Sequence, residues 1–356
     1  MQRYIGLDVH AASCTIAVIS EHGKRLKDVP VETNGQALVE AIRAIPGGKH
    51  LILEEGTQSA WLYEVLSPHV EEIVVASTEG RRGQKNDKTD AYDLAENLRV
   101  GSVHKRVFKS PRQFSMLREL ARTHAMMARD VVRVQARLKS VYRSRGVSTP
   151  GASVYGQKER DQWLKQLPVA PRATAMRLYD QYDVLLDLKD KAEAALLKEL
   201  GKHSIARVLQ TAPGLGPIRV ARLLSIVVTP HRFRTKRQFW SYCGLGIVMR
   251  SSSDWVRAVD GRWMRAQVQQ TRGLSRQYNH PLKDVFKGAA TTVITQVKKD
   301  PIYTLYERLT ESGTKPNLAR VSLARAIAAT VLRMWKDEEE YKPQRYRTQI
   351  LTDRDA

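Results

Sequence analysis

Residues 83–98 read Gly-Gln-Lys-Asn-Asp-Lys-Thr-Asp-Ala-Tyr-Asp-Leu-Ala-Glu-Asn-Leu, and two of their carboxylates are spaced for chemistry. Asp87 and Asp90 are three apart, and Ala91, Leu94, Ala95 and Leu98 recur at the period of one helix face. The spacing predicts a helix opening near Asp87, with both carboxylates on one edge and one turn apart. Acids in a first turn complement the helix dipole and cap it, which is one reading of the pair. The other is chemical: two carboxylates held together repel unless a cation joins them. That second reading requires the rest of the chain to bring further carboxylates to the same point.

The preceding residues predict such a scaffold. Residues 4–9, 14–19 and 26–31 are short apolar runs joined by turn residues, an antiparallel three-strand meander. Residues 34–45 read as a helix that Asn34 can cap, with Leu38, Ile42 and Ile45 on its apolar face. Residues 50–53 read as a buried parallel strand stopped by Glu54 and Glu55, followed by a helix over 58–66 and a strand over 72–76. If the first and fourth strands are parallel neighbours, Asp8 and Glu54 leave the sheet side by side, and the last helix brings Asp87 and Asp90 to the same edge. Four carboxylates around one point would hold one or two Mg²⁺ ions and support phosphoryl transfer. The layout is that of ribonuclease-H-like nucleases, and the set Asp8, Glu54, Asp87 and Asp90 resembles a Holliday-junction resolvase site. Glu55 stands as an alternative to Glu54, and Asp93 as an imitator of Asp90.

Composition narrows the partners. The chain has 356 residues, 42% of them hydrophobic and 27% charged, enough for two or three soluble domains. No stretch approaches the apolar length of a membrane span, and the first residues lack the order of a signal peptide, so a cytoplasmic protein is expected. Cys14 and Cys243, far apart in sequence, suggest neither a disulfide framework nor a zinc site. A net charge of +22 is tolerated most naturally when the usual partner is a polyanion, which points to nucleic acid.

The later segments extend that expectation. Residues 110–145 predict a long helix, and between Lys105 and Arg145 twelve Lys or Arg face two acids, Glu119 and Asp130. Arg118, Arg122, Arg129, Arg133, Arg137 and Lys139 are its expected phosphate contacts. After a Pro/Gly/Ser linker at 147–156, helices over 159–167 and 171–200 follow, the second with Leu178, Leu185, Leu188, Ala192 and Ala195 at coiled-coil-like intervals. An antiparallel arm that also dimerises is expected. The run Pro213-Gly-Leu-Gly-Pro217 resembles a helix-hairpin-helix turn, in which Gly214 and Gly216 would let backbone N–H groups grip a phosphate; a simple connection between packed helices reads equally well. Ser251, Ser252 and Ser253 lie in a polar loop with no histidine beside them and no nucleophile elbow, so the residues alone leave them unassigned. Arg250 would suit a phosphate site there.

Taken in order, Tyr-Ile-Gly-Leu-Asp8, Leu-Glu54-Glu-Gly-Thr, Lys-Asn-Asp87-Lys-Thr-Asp90-Ala, Pro-Gly-Leu-Gly-Pro and Tyr-Cys-Gly-Leu with the serines resemble the DEDD insertion-sequence transposases related to the pilin-gene invertase Piv. That family includes the bridge-RNA-guided serine recombinases, and the resemblance runs from Asp8 to about Trp335. It implies an α/β resolvase-like DEDD domain over 1–104, a basic helical arm over 105–204, a mostly α transposase domain over 205–340 and a tail over 341–356. It implies Mg²⁺ held by Asp8, Glu54, Asp87 and Asp90, and a nucleophile at Ser252, counted from Gly244, that forms a covalent phosphoserine with DNA. It further implies donor and target DNA, a structured guide RNA, a dimer to tetramer, and action at a prokaryotic nucleoid. The family's glycine after the serine is replaced here by Ser253-Asp254, so Ser251 and Ser253 remain rivals; the basic glycine segment is replaced around 271–281. A metal-dependent junction nuclease without serine chemistry is the alternative.

Overall fold

The structure, a computed structural model, describes residues 1–77, 86–103, 105–107, 110, 113–249, 255–265, 271–275 and 277–344. The chain divides into two compact units, Met1–Gln113 and Phe114–Ala356.

The first unit runs β1 (Gln2–Val9), β2 (Ser13–Ser20), β3 (Arg25–Glu32), α1 (Gly35–Arg43), β4 (Gly48–Glu54), α2 (Ser59–Leu66), β5 (Glu72–Ala76) and α3 (Asp87–Arg99). Its sheet order is β3-β2-β1-β4-β5, with β1–β2 and β2–β3 antiparallel and β1–β4 and β4–β5 parallel. The expected meander and the expected β1–β4 neighbourhood are both present. Asn34 caps α1, its side-chain oxygen accepting from the Ala37 N–H at 2.8 Å. Period-two alternation splits the core between two layers. Ile5, Leu7, Leu51 and Leu53 face Leu38 and Ile42 of α1 and Leu62 and Leu66 of α2. Across the sheet, Ala17 and Ile19 meet Ala91 and Ala95 of α3, while Ile52, Val74 and Ala76 meet Leu94 and Leu98.

The second unit is mostly helical: α4 (Ser115–Arg143), α5 (Arg160–Lys165), α6 (Val169–Leu200), α7 (Ser204–Gln210), α8 (Pro217–Val227) and α9 (Lys236–Tyr242) precede four short strands. These are β6 (Ile247–Met249), β7 (Trp255–Arg257), β8 (Trp263–Arg265) and β9 (Thr271–Leu274), and α10 (His280–Gln296), α11 (Tyr303–Glu311) and α12 (Pro316–Asp337) follow. The α4 and α6 helices pack antiparallel in three successive layers. Leu117 and Ala121 meet Leu196 and Leu200, Val131 and Val134 meet Tyr182, and Leu138 and Tyr142 meet Ala175 and Tyr179. The buried seam of α6 thus runs through Ala175, Tyr179, Tyr182, Leu196 and Leu200, whereas the coiled-coil-like set stays half-buried or exposed. Two tyrosines explain the shift: the hydroxyls of Tyr142 and Tyr179 lie 3.1 Å apart inside the arm, and Tyr179 donates to the Val154 carbonyl at 2.8 Å, satisfying polar tips that aliphatic counting ignores. Pro171 sits in the first turn of α6, where its missing N–H costs nothing. The β6–β9 and β7–β8 ribbons went unforeseen because strands of three or four residues carry too little alternation to read.

Candidate active site

Alternation places Gly6 and Asp8 on the same face of β1, the face that α3 covers. A β-carbon at Gly6 would lie 1.8 Å from the Ala91 carbonyl oxygen and 2.9 Å from the Ala95 nitrogen, so only glycine admits the helix at this distance. Because α3 begins one turn before Ala91, that contact carries Asp87 to the end of β1. Asn86 caps the helix by accepting from the Lys88 N–H at 3.1 Å. Lys88 reaches Asp28 of β3 at 2.8 Å, and the Tyr92 hydroxyl donates to the same carboxylate at 3.3 Å. Hydrogen bonding to Lys88 holds the Asp28 carboxyl below the usual carboxylate range.

Leu7 pairs with Leu53 across the parallel β1–β4 ladder, so the next residues, Asp8 and Glu54, emerge together. Glu54 follows Ile52 by two positions and therefore shares the α3 face, while Glu55 is one step further along, its N–H donating to the Ala76 carbonyl at 2.8 Å. Burial pushes the Asp8 carboxyl above its ordinary value; His10 pulls it back, and the charges of Asp87, Asp90 and Glu54 push it up again. Among the described residues, Asp87 is the one expected acid whose ligand atom joins that of Asp8, with His10, within 4.8 Å; Asp90 and Glu54 act on the Asp8 carboxyl by charge but stand outside that group. Asp8 is largely covered, whereas the Asp87 side chain is 59% exposed, which leaves the cluster open on one side.

His10 was not foreseen. Its Nε2 lies 3.2 Å from Asp8 Oδ2 and 3.4 Å from Asp87 Oδ1, so the imidazole stands between the two carboxylates. Ligand atoms of Asp8, His10 and Asp87 lie within 4.8 Å of one another, a group able to hold a cation. The signal was in the sequence, since Asp8 and His10 are two apart at the end of a strand and so share a side. Carboxylates that raise the proton affinity of Asp8 are a hard-oxygen donor set that fits a divalent ion.

In the second unit, α4 buries Leu117, Ala121, His124, Val131, Val134, Leu138 and Tyr142, leaving its cations along the rim. They are not equivalent. Arg122 pairs with Glu119 at 2.8 Å, Arg133 pairs with Asp130, Arg118 donates to the Ser225 carbonyl at 3.3 Å, and Lys139 donates to the Gly151 carbonyl at 2.6 Å. Arg129 and Arg137 are exposed, Arg129 bonding only its own helix's Ala125 carbonyl among the contacts described. Gly214 has φ +76° and sits so near α10 that a β-carbon would lie 2.3 Å from the Ala289 carbonyl oxygen. Its glycine thus serves helix packing, and Arg219 fixes the turn by donating to the Gly214 carbonyl at 2.8 Å and to Thr292 at 3.1 Å. Gly216, by contrast, has open space around it and precedes Pro217 at the start of α8. Arg250 and Ser252, with the rival Ser251 and Ser253, lie outside the described residues.

Residues 5–144 match a transposase family of the IS110 DEDD type, and residues 206–307 match the Transposase IS116/IS110/IS902 family. No curated protein matches the chain. The first match contains all four acids, and the second contains Gly214, Gly216 and the serine segment. No helix among the described residues is long and apolar enough to cross a membrane. With both transposase domains present in order and together spanning more than half of its length, the chain is a transposase of the IS110 family, an enzyme that acts on DNA.

Proposed function

We propose that the chain joins DNA strands through a covalent phosphoserine at Ser252, with Asp8, Glu54, Asp87 and Asp90 holding Mg²⁺. The observation that carries this reading is the meeting of Asp8, His10 and Asp87 ligand atoms within 4.8 Å at the end of β1, with Asp90 and Glu54 near enough for their charges to act on Asp8. The sheet order, with three antiparallel strands followed by two parallel ones, supports a ribonuclease-H-like assignment for the first unit. A divalent ion in the acid cluster would supply Lewis-acid stabilisation of charge on the scissile phosphate.

In the reaction, Ser252 Oγ loses its proton to a base or to solvent and attacks phosphorus. The Oγ–P bond forms as the bond to one sugar oxygen breaks, and the departing sugar hydroxyl takes up a proton. A sugar hydroxyl of the incoming strand then displaces Ser252 by the reverse step, so the phosphodiester count is conserved and no nucleotide is consumed. Arg250 would neutralise the phosphate under attack. The exposed Arg129 and Arg137, with Arg118, Arg122, Arg133 and Lys139, would follow DNA or RNA backbone, and the turn that Gly214 packs against α10 would offer its open position, Gly216, to a phosphate of the duplex.

The charge of +22 suits two polyanions at once, donor and target DNA and an element-encoded bridge RNA that pairs with them. Met176, Val184 and Leu188 leave an exposed apolar stripe on α6, 51, 61 and 43% accessible, which supports a dimer to tetramer built on the arm. A strand-joining assay with element ends, cognate RNA and Mg²⁺ tests the whole reading: Asp8→Ala and Ser252→Ala should each abolish joined product. Metal-dependent cleavage that survives Ser252→Ala would instead make the chain a junction nuclease.

A further inference from the structure

The β7–β8 ribbon begins at Trp255, three residues after Ser252 in sequence, and no role in strand joining calls for its composition. Trp255 pairs with Arg265, Val256 with Met264 and Arg257 with Trp263. Since alternate residues of a strand share a face, Trp255, Arg257 and Trp263 belong to one side of the ribbon. Trp255 is 56% and Trp263 65% exposed, an unusual degree of exposure for the two largest apolar side chains of the segment. The tip is shaped to project: Ala258 donates its N–H to the Arg262 carbonyl at 2.8 Å, Gly261 takes φ +83°, and Val259 stands fully exposed between them.

Charge selects among possible occupants. Between Thr229 and Lys283 there are eleven Lys or Arg and two acids, Asp254 and Asp260, so the ribbon lies in a strongly basic stretch. A second copy of the same basic surface would be repelled, whereas a polyanion with flat apolar faces would be attracted on both counts. Spacing selects further. The two tryptophans occupy diagonal positions across the ladder, where neighbours lie about 7–8 Å apart. That is roughly twice the ~3.4 Å rise of stacked bases, room for one base between two indoles.

We propose that the Trp255–Arg257–Trp263 face of this ribbon is a stacking platform for unpaired bases of a nucleic-acid strand, with Arg257 on a flanking phosphate. Its place next to the serine segment rests on the strand-joining reading, but the binding itself does not. A strand exchange must expose unpaired bases beside the cleaved phosphate, and a sequence-tolerant aromatic platform keeps them from re-pairing.

The test uses the full chain in EDTA with fluorescein-labelled oligothymidylate, oligouridylate and a duplex of equal length, followed by anisotropy. Trp255→Ala and Trp263→Ala should each weaken single-strand binding by about 5- to 100-fold, the range expected for one lost base–aromatic stack. Duplex binding should stay within about twofold, and Trp263→Phe should keep most of the affinity because Phe retains a ring face. Preference for the deoxy or the ribo strand assigns the platform to exchanged DNA or to guide RNA. Melting temperatures are read beside affinity, and a lost single-strand affinity with duplex binding retained separates stacking from folding. Unchanged single-strand affinity in both alanine variants would overturn the proposal, as would equal losses for duplex and single strand or a change of sedimentation state alone. Failure of serine chemistry leaves the assay intact, since it needs neither metal nor Ser252.

Discussion

Gly6 and Ala91 approach so closely that a β-carbon on Gly6 would fall 1.8 Å from the Ala91 carbonyl oxygen. That contact sets how far α3 advances over β1, and hence whether Asp87 reaches Asp8. Gly6→Ala must push a helix backbone away from a sheet, so the loss should lie at or beyond the upper end of the ~1–3 kcal/mol usual for overpacking. Urea unfolding of the variant measures it, and Mg²⁺-induced stabilisation should fall with it.

Asp8 is largely covered, and among the described residues Asp87, Asp90 and Glu54 add charge of its own sign while His10 opposes them. Its raised pKa means that the ionised form is disfavoured in the folded state. The cost is absent below the ordinary carboxylate pKa and fully present above the raised one. At neutral pH, Asp8→Asn should therefore raise the metal-free melting temperature while removing most of the gain from Mg²⁺. For the wild type that gain should be about 2.7 kcal/mol at a hundredfold excess over Kd. Thermal melts with and without Mg²⁺ check both halves, and a metal-free Asp8→Asn variant less stable than wild type would contradict the account.

The helical arm carries a pH dependence of opposite sign. Arg160 grips Asp183 through two hydrogen bonds of 2.7 and 2.8 Å, and hydrogen bonding to Arg160 holds the Asp183 carboxyl below its ordinary value. Stability from a lowered carboxyl pKa is complete above the unfolded value, near 3.9, and is lost as pH falls through the folded one. Asp183→Asn should cost about 1 kcal/mol at pH 7, partial exposure discounting the pair, and the difference from wild type should close below about pH 4. Denaturant midpoints at pH 7, 4 and 3 follow it.

The rim of α4 should separate by partner. Arg129 and Arg137 are exposed, whereas Arg122 and Arg133 have Glu119 and Asp130 beside them. Replacing Arg129 or Arg137 by Ala should lower the slope of log K against log salt for duplex DNA by about 1 each. The same change at Arg122 or Arg133 should lower it less, because a cation already paired with a carboxylate neutralises less phosphate and releases fewer counterions. Salt titrations of DNA affinity distinguish the two classes.

Much of this was legible before any coordinates. The meander, the β1–β4 pairing and the acids at strand ends follow from period-two runs and punctuating turns, and Asp87 and Asp90 announce themselves by helical spacing beside Ala91 and Leu94. His10 was missed because its two-residue spacing from Asp8 gains meaning only when the turn at 10–13 and the arrival of Asp87 bring a second carboxylate to the imidazole. The arm's true seam was hidden by Tyr179 and Tyr182, which an aliphatic pattern passes over. Likewise, Gly214 shows its role only when Ala289 comes from seventy-five residues away to lie against it. Contacts of that range are set by tertiary packing, not by local spacing.

The central claim, a serine that links itself to DNA, is tested most directly by trapping the link. Full-length protein is incubated with element-end DNA, cognate RNA and Mg²⁺, denatured, and digested for mass mapping. The account predicts a denaturation-resistant DNA–protein adduct carried on Ser252, absent from Ser252→Ala and from Asp8→Ala. Cleaved or joined DNA with no adduct at all, or with the adduct mapped to a residue other than Ser252, would contradict it.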